Sequence, residues 1–127
     1  MIDRIQPVSI PKSTAPFSQV VLDDWYVYFS GLVAADFPEG LVVLGDVAAE
    51  TTAVLNVISK TLTELGLEMC DLVKAEVHLA DLTDFDAMDE AYRQCFPPNM
   101  TPARTTTESK HLFGGSRVEI TVQARRR

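Results

Sequence analysis

The sequence predicts a sheet of five or six strands covered on one side by two helices, and three observations carry that expectation. Segments of strand-like and helix-like periodicity follow one another in the order strand, strand, helix, strand, helix, strand, strand. Two helices, each about 10 Å wide, span one side of such a sheet at a strand spacing of about 4.8 Å, and they do not span both. The segment "WYVYF", Trp25 to Phe29, is apolar on both of its alternating faces, which a half-solvated strand is not. The uncovered side is therefore expected to meet another subunit rather than water.

Element by element, residues 1–16 carry Pro7, Pro11 and Pro16 and read as an extended, weakly structured lead-in to a single domain spanning 1–127. Phe17 to Leu22 and Trp25 to Val33 read as two strands joined by a tight turn at Asp23-Asp24, with both faces of the second strand buried. Over Asp46 to Leu65 the period lengthens: Val47, Val54, Leu55, Ile58, Leu62 and Leu65 fall on one helical stripe, Asp46 is placed as N-cap and Gly66 as stop. After a turn at "EMCD", Val73, Ala75, Val77 and Leu79 alternate with Lys74, Glu76 and His78, giving a strand with one apolar face. Thr83 and Asp86 suggest a capping box opening a shorter helix, whose inner side carries Phe85, Met88, Tyr92 and Cys95 and which Pro97-Pro98 ends. The Thr-rich run "TPARTTTES" is the next strand. In the last, "RVEITVQA", Val118, Ile120, Val122 and Ala124 face the core, and Arg117, Glu119, Thr121 and Gln123 face away.

Composition narrows the function classes. A formal net charge of -7 repels polyanions, and the one basic cluster, Arg125 to Arg127, is a chain-end tail, so nucleic acid and anionic membranes are not expected partners. Cys70 and Cys95 stand in no paired spacing and are expected as buried free thiols; neither they nor His78 and His111 lie at metal-ligand spacing, and no metal or cofactor is expected. No apolar signal core or membrane-length run occurs, which makes a cytoplasmic location the expectation. GxSxG, P-loop and HExxH patterns are all absent. His78 reads as an exposed strand residue rather than a base.

Chemistry then rests on few groups. Arg104 stands near the start of the Thr-rich strand and Glu119 in the last one, with a Gly114-Gly115 turn between them that would let the two strands pair as a hairpin. A guanidinium grips a carboxylate through two parallel hydrogen bonds, and a carboxylate takes a proton from water. Spacing alone equally suits a structural ion pair or two exposed charges on facing strands, and it favours that simpler reading. Ser30-Gly31 reads either as a strand end needing a small residue or as a place where a ligand approaches the backbone.

"PAR" (102–104), followed by Leu112 and "VEI" (118–120), resembles the signature of the RidA (YjgF) family of reactive-intermediate deaminases, and "APF", "FSG" and the stretch from Asp46 to Phe85 extend the resemblance nearly end to end. The resemblance implies an α+β fold, with a mostly antiparallel six-stranded sheet backed on one face by two helices, assembled as a homotrimer with a central barrel and clefts between subunits. It implies hydrolytic deamination of 2-imino or enamine acids such as 2-aminoacrylate to 2-oxo acids and ammonia, with Arg104 binding the substrate carboxylate and Glu119 activating water. Ser30, Gly31 and Phe17 are implied as pocket residues, with Thr106 and Asp89 beside them. Phe17 stands where such deaminases commonly carry tyrosine, Thr106 where cysteine is frequent and Asp89 where many have asparagine. Those departures open two alternatives: a non-catalytic carboxylate-binding or regulatory trimer, and a related hydrolase of small enamine or amide compounds.

Overall fold

The computed structural model describes residues 1–127. Seven strands make one sheet: β1 (Asp3–Ile5), β2 (Val20–Leu22), β3 (Tyr26–Phe29), β4 (Leu32–Val33), β5 (Leu72–Leu79), β6 (Ala103–Glu108) and β7 (Val118–Arg125). Their lateral order is β1-β2-β3-β7-β5-β6, and β4 pairs with β7. All pairings are antiparallel except β5 with β6, which run parallel. The helices are α1 (Pro38–Leu41), α2 (Val47–Glu64) and α3 (Phe85–Gln94).

The long helix forms where its stripe predicts. The Asp46 side chain accepts from the Ala49 N–H at 3.1 Å, which satisfies one of the donors left over at a helix start. At the other end Gly66 adopts φ +74°, and Leu67 N–H returns to the Leu62 carbonyl while Gly66 N–H reaches that of Thr63. This paired closure needs a residue that tolerates left-handed backbone. Val54, Leu55, Ile58 and Leu62 are buried in one cluster with Val77, Leu79, Ile120 and Val122 of the sheet, each worth roughly 2 kcal/mol of apolar transfer.

Several expectations are corrected. The lead-in is extended but anchored: β1 pairs with β2, Ile10 lies in the core, and Glu64 at the end of α2 accepts from Val8 N–H and Ser9 N–H. The strand expected over 25–33 is broken at Ser30-Gly31 into β3 and β4, which together with β1 accounts for seven strands. Its two faces are not both covered within the chain: Val27 and Phe29 are buried, whereas Trp25 is 62 % and Tyr28 39 % exposed. Asp23 does make the predicted turn, accepting from the Trp25 and Tyr26 N–H groups and from the Tyr28 hydroxyl. Those three donors, the tyrosine hydroxyl foremost, hold its carboxyl below the usual range.

In β5 a register irregularity between Leu72 and Lys74 turns Leu72 inward and leaves Val73 outside the core. The capping box at Thr83 and Asp86 does not form; Asp81 instead accepts from Thr83 N–H and Thr83 Oγ1, two residues on, and a 3-10 turn leads into α3. Cys70 is exposed and Cys95 half-buried. Burial pushes the Cys95 thiol up, away from thiolate. His78 is half-buried, its Nδ1 2.8 Å from Thr107 Oγ1.

The largest correction concerns topology. β6 and β7 do not form a hairpin, because β5 lies between them and joins β6 through α3 as a parallel crossover. Gly114, at φ +66°, packs against Ala35 instead of turning a hairpin.

Candidate active site

The sheet's register assigns each candidate residue to a face. Arg104 sits beside Ala75, which sits beside Val122, and both neighbours are buried under the helices. Residues side by side in a sheet share a face, so Arg104 projects toward α3. Its guanidinium lies over the Tyr92 ring at 4.7 Å and the Phe85 ring at 5.6 Å. Such stacking favours a cation held out of bulk water. Its Nη1 is 2.7 Å from Asp89 Oδ1, and Asp89 Oδ2 is 3.3 Å from Arg93 Nη2. Arg104, Asp89, Tyr92 and Arg93 line an open depression of ≈ 290 Å³ with Thr101 and Pro102.

Thr106 lies two residues along on the same face, beside Val77. Its Oγ1 and the Tyr92 hydroxyl are buried with no hydrogen-bond partner. Burial pushes the Tyr92 phenol up to about 12, against the pull of the Arg104 charge and with the Asp89 carboxylate adding to the rise.

Glu119 belongs to the opposite side. It pairs with His78 on β5 and Val33 on β4, between Val118 and Ile120, whose side chains are fully buried on the helix side. Its half-buried carboxylate leans over Gly31: a Cβ built there would stand 3.0 Å from Glu119 Cδ, 3.1 Å from Oε2 and 3.0 Å from Thr121 Oγ1. Ser30 fixes the break between β3 and β4, its N–H donating to the Gln19 carbonyl at 2.9 Å and its hydroxyl to the Ser18 carbonyl at 2.7 Å. That tie brings in Phe17, the residue before Ser18, whose ring is half exposed.

The seven candidates thus separate into two groups. Arg104, Asp89 and Thr106 gather under α3; Glu119, Gly31, Ser30 and Phe17 gather at the uncovered face. Tyr92 and Phe85, expected from sequence on the inner side of their helix, join the first group, and so does Arg93, which sequence reasoning did not single out. The signal that could have placed them is their helical spacing from Asp89, since positions three and four apart share a face. Thr121, beside Gly31, was legible as outward-facing but not as a neighbour of the glycine.

A mostly antiparallel sheet with helices on one side, carrying one polar group on its helix side and another on its uncovered face, defines an α+β protein. Residues 8–126 match the family model described as Endoribonuclease L-PSP. The chain is 37% identical over 116 residues to the human 2-iminobutanoate/2-iminopropanoate deaminase, covering 91% of this chain and 84% of the relative, and 34% identical to a RutC family protein of Pyrococcus abyssi, covering 80% of each. Its fold superposes on a Rid-family protein from Yersinia pestis with a TM-score of 0.89 at 25% identity, over 99% of this chain and 100% of that one. RidA from an Antarctic Psychrobacter gives 0.85 at 26%, over 98% and 99%. The chain belongs to the RidA family, the family that the Endoribonuclease L-PSP model describes.

Proposed function

We propose that this protein hydrolyses 2-imino acids, or their enamine tautomers such as 2-aminoacrylate, to 2-oxo acids and ammonia. The observation that carries the proposal is the Arg104 guanidinium, part-buried over two aromatic rings at the wall of an open depression and with one carboxylate partner. Its Nε and Nη2 remain without a carboxylate partner, so the guanidinium keeps hydrogen-bonding capacity for a second carboxylate. The names of the curated relatives at 35–37% identity point to the same chemistry.

In this reading Arg104 binds the substrate carboxylate and orients the imine carbon. Glu119 takes a proton from water, the resulting hydroxide adds to that carbon, and the C=N bond becomes a C–N single bond. The Glu119 proton passes to the nitrogen to complete the carbinolamine; Glu119 then takes the hydroxyl proton and delivers it to the amino group as the C–N bond breaks, and ammonia leaves a C=O behind. Imines of this type hydrolyse in water unaided, so a sparse site of one cation and one base supplies the positioning and proton transfer without metal or cofactor.

Arg104 and Glu119 face opposite sides of one sheet, and a working site therefore draws them from two chains. Tyr28, part-exposed beside Gln123 on the uncovered face, supports assembly through that face, and a homotrimer with clefts between neighbours is the arrangement proposed. The partner is then a small anion in a cytoplasmic setting, not a nucleic acid: the family description names an endoribonuclease, but a net charge of -7 opposes a polyanion. The test generates 2-aminoacrylate in place and follows 2-oxo acid formation. Acceleration lost in Arg104→Ala supports the reading; no acceleration, or acceleration that survives the substitution, sinks it. Tight binding of a 2-oxo acid without turnover would favour the non-catalytic alternative suggested by Phe17.

A further inference from the structure

Arg104 does not wait empty-handed for an anion. Asp89 Oδ1 stands 2.7 Å from its Nη1, and the two side chains keep only 21% and 27% of their exposure. The second Asp89 oxygen turns to Arg93 Nη2 at 3.3 Å, one helical turn further along α3. Arg93 is the more exposed of the two arginines, 66% against 21%, and is held a second time by Glu90 at 2.8 Å. Asp89 is therefore shared between a shielded guanidinium and a solvated one. Both stand at the wall of the same depression.

We propose that Asp89 is a specificity-determining residue, an internal carboxylate that competes with the substrate's own for Arg104 and so sets how tightly the site holds small acids. This rests on Arg104 being the carboxylate-binding group. A two-point grip through Nη1 and Nη2 requires the incoming carboxylate to take Nη1 from Asp89, or to settle for the Nε edge beside it. Either way it meets a guanidinium whose charge is already compensated. Arg93 is the counter-ion that keeps Asp89 satisfied once it lets go. The site consequently favours acids present at high concentration and releases its 2-oxo acid product readily, because Asp89 re-forms the pair as the product leaves. The rings of Tyr92 and Phe85 keep the guanidinium in place through the exchange.

The test titrates the intact protein with 2-oxobutanoate by calorimetry and measures kcat and KM with 2-aminoacrylate, for wild type, Asp89→Asn, Asp89→Ala and Arg104→Ala. Asparagine keeps the shape and removes the charge, and alanine covers the case in which the amide finds a new partner. Binding tightened about tenfold in either Asp89 variant, with the gain falling in KM and none in kcat, is the expected result. A partner that only braces Arg104 mechanically would move both constants the other way. Unchanged or weaker binding in both Asp89 variants, while Arg104→Ala abolishes it, overturns the competitor role and leaves the carboxylate site standing. Binding that Arg104→Ala does not diminish removes the site and this inference together.

Discussion

Arg104 and Glu119 project from opposite faces of one sheet, two strands apart with β5 between them. Two strand spacings and three residues of offset put their Cα atoms roughly 14 Å apart, so one chain cannot direct both at one small substrate. Arg104→Ala and Glu119→Gln are each expected to lower the rate about 100-fold or more, the scale of a lost positioning cation or general base. Unfolded together and refolded, the two variants should regain roughly a quarter of wild-type activity. In the proposed trimer each cleft would draw its arginine and its glutamate independently from two neighbours, with even odds for each. A mixture no more active than its parts would show that the two residues do not meet across a seam.

Which features of this arrangement were readable in advance follows from how far apart in the chain their causes lie. The α2 stripe and its two caps depend on residues within a few positions of each other, and so do the alternation of β7 and the Asp23 turn; all were legible. Strand neighbours were not. Gly114-Gly115 sits between β6 and β7 and suggested a hairpin, but the crossover through α3 inserts β5, and nothing in the local sequence encodes that choice. The same insertion is what sends Arg104 and Glu119 to different faces. "WYVYF" is apolar throughout, which predicts burial of both faces, yet one chain has only enough helix to bury Val27 and Phe29. The pairing of Asp89 with Arg104 joins positions fifteen residues apart and needed the fold before it could be seen.

Gly31 is the position where the backbone passes beneath the Glu119 carboxylate with little room to spare. A methyl group there would sit 3.0 Å from Glu119 Cδ and from Thr121 Oγ1, closer than carbon and oxygen pack without movement. Both neighbours are side-chain tips, so the chain can fold around the intrusion by swinging the carboxylate aside. Gly31→Ala should therefore cost about 1 kcal/mol or less in stability and about 10- to 100-fold in kcat, since small misplacements of a catalytic group are costly. Thermal unfolding and steady-state kinetics on the same preparation check it. An unaltered kcat would mean that the carboxylate's present position is not the working one.

The Tyr92 hydroxyl is buried without a partner, and its phenol is pushed up to about 12. The folded state holds that proton more tightly than the unfolded chain, whose tyrosines ionise near 10. Stability from this group is fully present below about pH 10 and is lost as pH rises toward about 12. Ultraviolet titration should show one phenol ionising about two units late, and Tyr92→Phe should remove that late step. Because no hydrogen bond is lost, the phenylalanine variant should equal or exceed wild type by up to about 1 kcal/mol. A clear loss of stability would reveal a partner for the hydroxyl in the assembled protein.

Glu50 is fully buried, with Oε2 accepting from Gly45 N–H at 2.7 Å and Oε1 from Arg117 N–H at 2.8 Å. One carboxylate thereby ties the turn before α2 to the entrance of β7, two residues ahead of Glu119. Glu50→Ala leaves two part-buried N–H donors without their acceptor, at up to about 1 to 3 kcal/mol each, and leaves a cavity. A loss of about 3 kcal/mol or more is expected, read as a lower urea midpoint at an unchanged slope. Glu50→Gln keeps one acceptor and sets an NH2 against the other N–H, so it should fall between alanine and wild type. If Glu50→Ala came within about 0.5 kcal/mol of wild type, the scale of an ordinary surface change, the carboxylate would not be the clamp that sets where β7 begins. Glu119 would then owe its register to the β5 and β4 ladders alone.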